Sequence, residues 1–289
     1  MRADYLVKNN QKTVGFIVDK KYVKYYDALK NIEFIDNLVV NKAQVIRSKR
    51  GKLKEISIQE VNKKIYQKLV KENSLVRDIE KEFEEWKINF SDYVLYVSGA
   101  RQTGKTTELL KFAYKNYEQI IYVNLANERE KETFKKLVLT NTVVFGMMSY
   151  CKEMQLEEYT DTNRTILIID EIQESQEVYN SIRALQKELN CNIAVTGSYL
   201  GKTLNTKYFK PAGNTKDVEM LPLSFKEFCR ANNCETLLDK INPFGTSSQK
   251  EYEKLTALYK DYIEIGGYPA VVKQYVKSKD IKLCKAIIE

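Results

Sequence analysis

The chain has 289 residues, 43% apolar and 30% charged, with only four prolines, a composition that fits a globular protein with one main domain and at least one smaller module. It contains no histidine, which excludes Ser-His-Asp and Cys-His catalysis, two-histidine metal sites and any imidazole base; its five cysteines are scattered without a CxxC pair, so neither a zinc ribbon nor a disulfide framework is supported. The net charge of +8 is concentrated at one end, since residues 1–90 hold 20 Lys/Arg against 13 Asp/Glu and the remainder 27 against 26.

The opening MRADYLVKNNQK has no apolar core of signal-peptide length, and no run of about 18 apolar residues follows, so no membrane span and a cytoplasmic location are expected. VGFIVD (14–19) and NLVVNKAQVIRS (37–48) are rich in β-branched residues, with Asn41-Lys42 as a turn and a short helix between them over Lys21 to Ile32. Residues 1–56 are therefore expected to form a small α+β or β-rich module. Its densest basic stretch, RSKRGKLK from Arg47 to Lys54, either attracts nucleic-acid phosphates by counterion release or is a solvated loop at the end of a strand.

Ser57 to Glu60 has capping-box spacing, and Val61, Ile65 and Leu69 follow at helical intervals. After a break at Asn73-Ser74, the stripe Ile79, Phe83 and Trp86 continues a second helix, so 57–90 is expected to be a helical connector packed on the next domain. From there the pattern alternates short apolar strands with helices, as in a parallel sheet with crossover helices. The strands fall at Tyr93 to Ser98, Ile120 to Leu125, Ile166 to Asp170 and Asn192 to Gly197, with a fifth within Asp217 to Leu223.

The first of these strands feeds directly into Gly99, Ala100, Arg101, Gln102, Thr103, Gly104, Lys105 and Thr106, followed by Thr107 and a helical TELLKFAYKNY. Glycines at 99 and 104 permit turns that aim successive amides inward, and a helix opening at Lys105 adds unpaired amides and a positive dipole end. This is a phosphate-binding loop suited to Mg-ATP: Lys105 for the β and γ phosphates, Thr106 for magnesium, Thr107 for the α phosphate.

The apolar strand TILIID ends in Asp170 and Glu171, placing one carboxylate to hold Mg2+ and a second to polarise an attacking water. Either Ser198 or Thr196, at the tip of the next strand, is positioned to sense the γ phosphate. Asn124, ending the second strand, is either a plain strand terminator or an amide that restrains Glu171. Arg101, Arg164, Arg183 and Arg230 are candidates for offsetting transition-state charge, with Arg183 and Arg101 ranked first.

Taken together, GARQTGKTTELL, LIIDEIQE, AVTGSYL, LPLSFKEF and YIEIGGYPAVV resemble, in order, the prokaryotic AAA-type ATPases with a C-terminal domain of unknown function, the AAA_14/DUF4143 family, over roughly residues 92–272. The resemblance implies an α/β P-loop fold with sheet order 5-1-4-3-2, Lys105 and Thr106 as nucleotide contacts, Asp170 and Glu171 as hydrolytic residues and a sensor near Ser198. It places the ATPase core at 91–228, with 229–289 as a helical lid and the start of a C-terminal domain. Family members commonly have proline where this chain has Ala100, and they continue beyond GGYP, whereas this chain ends at Glu289 inside a helical pattern, so most of that domain is expected to be absent. The expected activity is ATP hydrolysis coupled to conformational change, or else a slow nucleotide-gated binding module, with a protein partner, a second copy or nucleic acid as its target.

Overall fold

The computed structural model describes residues 5–9, 12–16, 44–49, 52–54, 58–72, 75–198, 214–240 and 248–287. At the N-terminus, β1 (Tyr5–Asn9), β2 (Lys12–Phe16), β3 (Gln44–Lys49) and β4 (Lys52–Lys54) form an antiparallel sheet of order β2-β1-β3-β4. The helix expected over 21–32 and the turn at Asn41-Lys42 lie outside the described residues, as do positions 17–19 and 37–43 of the expected strands. Within the basic stretch, residues 47–49 lie in β3 and 52–54 form β4, with Arg47 opposite Lys54 and Lys49 opposite Lys52, while positions 50 and 51 lie outside the described residues.

Two helices follow, α1 (Ile58–Glu72) and α2 (Ile79–Asn89), as the two stripes predict. Ile65, Leu69, Ile79, Phe83 and Trp86 are all buried, and the indole of Trp86 donates to the Tyr93 carbonyl at 2.7 Å. These helices and α3 (Lys105–Asn116) cover one face of a five-stranded parallel sheet made of β5 (Val94–Gly99), β6 (Gln119–Asn124), β7 (Thr165–Asp170), β8 (Asn192–Ser198) and β9 (Thr215–Glu219). Helices α4 (Glu128–Val138), α5 (Val143–Glu153) and α6 (Gln176–Glu188) cover the other.

The two-sided burial explains the unbroken apolar runs. Successive strand side chains alternate between faces: Leu95, Val97, Ile166 and Ile168 pack with Phe83, Trp86 and Phe112, while Val94, Tyr96, Leu167 and Ile169 pack with Phe134, Met147 and Ile182. The strand order is β6-β7-β8-β5-β9, which in order of appearance is 5-1-4-3-2. β9 starts two residues before the expected segment; as an edge strand reading Thr-Lys-Asp-Val-Glu it buries only Val218, so no apolar run marks it.

Beyond the sheet come α7 (Phe225–Ala231), the short α8 (Thr236–Asp239), α9 (Gln249–Ile265), α10 (Pro269–Ser278) and α11 (Ile281–Lys285), gathered around Leu223, Phe228, Val271, Val272 and Tyr275. The LPLSFKEF and GGYP segments meet here. The Leu223 N–H donates to the Gly267 carbonyl at 2.7 Å, the Tyr262 hydroxyl donates to the Leu223 carbonyl at 2.8 Å, and the Phe228 ring lies 5.4 Å from Tyr262 and 5.1 Å from Tyr275. Ser224 and Glu227 close a capping box at the start of α7. Among the described residues, no helix is long and apolar enough to cross a membrane.

A Cβ at Gly267 would lie 2.2 Å from the Leu223 carbonyl oxygen, whereas at Gly266, where φ is +74°, nothing lies within 4 Å. Gly267→Ala is therefore expected to lower unfolding free energy by about 1–3 kcal/mol through backbone displacement, and Gly266→Ala by about 1–3 kcal/mol through strain alone, since φ +74° with ψ −172° is a region essentially confined to glycine. Equilibrium urea unfolding of the two variants checks both losses.

Candidate functional site

The C-terminal ends of β5, β7 and β8 and the start of α3 converge on one edge of the sheet, the usual binding edge of open α/β sheets. β5 leaves the sheet at Gly99, whose φ of +145° and approach to Met220 exclude a side chain: a Cβ there would sit 2.2 Å from the Met220 carbonyl oxygen. The loop ends at Gly104, in the left-handed region at φ +94°, and α3 begins at Lys105. The Lys105 ammonium lies across the loop, donating to the carbonyls of Ala100 at 2.7 Å and Gly99 at 3.0 Å. Thr103 is fully buried and its hydroxyl also donates to the Ala100 carbonyl, at 2.9 Å. Burial lowers the Lys105 pKa from its ordinary value, partly opposed by the carboxylates of Glu171 and Asp170. Arg101 and Gln102 are exposed at the loop's outer turn.

Asp170 is the hub of the site. Its carboxylate, 4% exposed, accepts from the Thr106 hydroxyl at 2.8 Å, the Tyr122 hydroxyl at 2.7 Å, the Glu171 N–H at 3.0 Å and the Thr196 hydroxyl. A buried anion needs such donors to remain charged without water. Thr196 donates to Asp170, whereas the Ser198 hydroxyl, in register with Gly99 across β5 and β8, is buried and has no hydrogen-bond partner among the described residues.

Glu171 follows at φ +52°, and its carboxylate accepts from the Gln173 amide. Asn124 lies opposite Asp170 in the β6–β7 register, but its amide oxygen accepts from the Ala126 N–H at 2.9 Å, while its own N–H donates to Glu130 at 2.8 Å. The amide on Glu171 is thus that of Gln173, a group that the sequence reading did not single out. Tyr122 was missed as well; the available signal was its position two residues before Asn124, on a strand neighbouring the acid pair.

The candidate arginines are dispersed. Arg164 precedes β7, at the opposite end of the sheet from the loop, and lies 3.4 Å from Glu118. Arg230 is held by Glu235 at 2.7 Å and Asp78 at 2.9 Å. Arg183 is exposed on α6. Besides Arg101, which is part of the loop, Arg77 reaches it from outside: its guanidinium donates to the Thr103 carbonyl at 3.0 Å from the stretch between α1 and α2.

A parallel sheet of order 5-1-4-3-2, with a glycine-bearing loop between its first strand and helix and an acid pair ending the third strand, defines an α/β P-loop NTPase. Residues 91–229 match the family model described as an AAA domain. An uncharacterized protein of Haemophilus influenzae is 26% identical over 193 residues, covering 63% of this chain and 41% of its own length. One of Methanocaldococcus jannaschii is 28% identical over 179 residues, covering 61% of this chain and 35% of its own. The chain thus spans about two fifths or less of the curated relatives it matches. Among solved structures, PCH-2 of C. elegans aligns with TM-score 0.38 at 13% identity, over 78% of this chain and 65% of the other. The Aeropyrum pernix ORC1 protein, solved in complex with DNA, aligns with TM-score 0.40 at 14% identity, over 74% and 66%.

Tyr122→Phe removes one donor from Asp170 and leaves three. The expected loss is about 1–2 kcal/mol of unfolding free energy without nucleotide, read from urea unfolding in parallel with the parent.

Proposed function

We propose that the chain hydrolyses ATP with Mg2+ and couples its nucleotide state to the segments flanking the core. The observation that carries this reading is the placement of the Thr106 hydroxyl 2.8 Å from the Asp170 carboxylate, directly past the phosphate loop. A hydroxyl and a single carboxylate suit Mg2+, which takes few protein ligands and completes its shell with water and phosphate oxygens. The buried Ser198 hydroxyl beside Gly99, without a partner among the described residues, adds a polar atom suited to a phosphate oxygen. When bound, the metal would neutralise charge building on the phosphates.

In this reading the backbone of Gly99, Ala100, Arg101, Gln102, Thr103 and Gly104 cradles the phosphates, with Thr107 at the α phosphate. Lys105 exchanges its two loop carbonyls for β and γ phosphate oxygens. Thr106 and Asp170 hold Mg2+, Glu171 polarises the attacking water, and Ser198 contacts the γ phosphate. Asn124 fixes the loop after β6 by accepting from the Ala126 N–H, and that loop is tied to the acid pair by the Leu125 N–H on the Asp170 carbonyl at 3.1 Å. The division of labour is an N-terminal module at 1–56, a connector at 57–90, the core at 91–228 and a lid at 229–289. Two buried links between the core and its flanks support coupling: Arg77 to Thr103, and Leu223 to Gly267.

Steady-state phosphate release tests the proposal. Lys105→Ala should abolish turnover, Glu171→Gln should lower it roughly 100-fold or more while nucleotide still binds, and Asn124→Ala should change the basal rate. Slow wild-type release indifferent to Glu171→Gln would instead favour the slow, nucleotide-gated module.

A second reading, nucleic-acid binding by the N-terminal module, is favoured by the hairpin register that places Arg47 opposite Lys54 and Lys49 opposite Lys52. Binding of a DNA or RNA oligonucleotide should then weaken steeply with salt and lose slope when Arg47, Lys49 and Arg50 are neutralised. Binding indifferent to both changes excludes it.

A further inference from the structure

Arg77 sits between α1 and α2 and is only 5% exposed. A guanidinium that gives up its water needs protein acceptors for its donors. Its Nε donates to Glu227 Oε1 at 3.0 Å, one terminal nitrogen to the Thr103 carbonyl at 3.0 Å, and the other to the Leu221 carbonyl at 2.6 Å. These acceptors belong to α7, to the phosphate loop and to the segment leaving β9. Glu227 is equally committed: Oε1 also accepts the Asp78 N–H at 2.7 Å, and Oε2 accepts the Ser224 N–H at 2.8 Å.

The bond to Thr103 bears on the loop's chemistry. In a trans peptide the carbonyl and the following N–H point in opposite directions, so a carbonyl drawn toward Arg77 turns the Gly104 N–H to the opposite side. We propose that Arg77 is a positioning residue for nucleotide binding: it fixes the 103–104 peptide so that the Gly104 amide faces the phosphates, and its pairing with Glu227 makes that orientation depend on the seating of α7. This rests on the reading of the loop as a nucleotide site. A lysine replaces it only in part, because a single ammonium lacks the planar fork that spans three acceptors.

Arg230 supplies the control. It joins α7 to the same stretch, through Asp78 Oδ1 at 2.9 Å and the Val76 carbonyl at 3.2 Å, without a bond to the loop. Mg-ADP affinity of the full chain is measured by calorimetry for the parent, Arg77→Gln, Arg77→Lys and Arg230→Gln, with thermal melts of each without nucleotide. Arg77→Gln should weaken binding about tenfold or more, the scale of one charge-assisted hydrogen bond. Arg77→Lys should weaken it by a smaller factor, and Arg230→Gln should leave it within about twofold of the parent, a shift below that scale. If Arg77→Gln does not fold, Arg77→Lys decides by the same comparison. Parent-like affinity in the folded Arg77 variants, or equal weakening in Arg230→Gln, overturns the positioning role while leaving the nucleotide site intact. A parent chain that binds no Mg-ADP overturns the nucleotide reading and this role together.

Discussion

A loop that turns its amides toward one side must dispose of its carbonyls on the other, and that requirement organises the structure around residues 99–104. Water cannot satisfy these carbonyls where the loop is covered, so the protein does. Lys105 takes the carbonyls of Gly99 and Ala100, Thr103 shares that of Ala100, Arg77 takes that of Thr103, and the Glu108 N–H takes that of Gly104 as α3 begins. The donors come from the loop, its own helix and the connector. The curvature of the loop is therefore a property of the assembled domain, not of the short peptide that carries the glycines.

The parallel sheet was legible because burial on both faces requires apolar residues at every position of a strand, and TILIID or VLYV can satisfy that demand in few other ways. β9 was placed late by two residues because it lies at an edge with one buried side chain. The phosphate loop and the acid pair are each contiguous, so they could be read locally. Tyr122 and Arg77 could not, whereas Gln173 lies only two residues past its partner Glu171. Tyr122 meets Asp170 across 48 positions and Arg77 meets Glu227 across 150, and no local pattern distinguishes such a tyrosine or arginine from one that faces solvent. The same reason explains why Arg77, which bonds the loop from outside it, is not among the four candidate arginines.

The segments that carried the family resemblance owe their character to packing. Glu227 is both the N3 partner of Ser224 and the acceptor for Arg77, which accounts for an acid within SFKEF. Gly267 is required where Leu223 approaches too closely for a side chain, and Pro269 then opens α10 at a position where no backbone donor is needed. The tip of that proline comes within van der Waals range of the place a Gly104 side chain would occupy, at 3.8 Å. The start of α10 thus lies beside Gly104 of the phosphate loop while the rest of that helix packs on α7.

β9 ends the described sheet on the side of β5, and its sequence Thr-Lys-Asp-Val-Glu carries three charges in five residues. A sheet margin of this kind resists recruitment of a foreign strand, because a newcomer would have to strip water from the charges flanking its hydrogen bonds. The charges on β9 thereby guard the margin of a parallel sheet whose inner strands β5, β7 and β8 are largely buried.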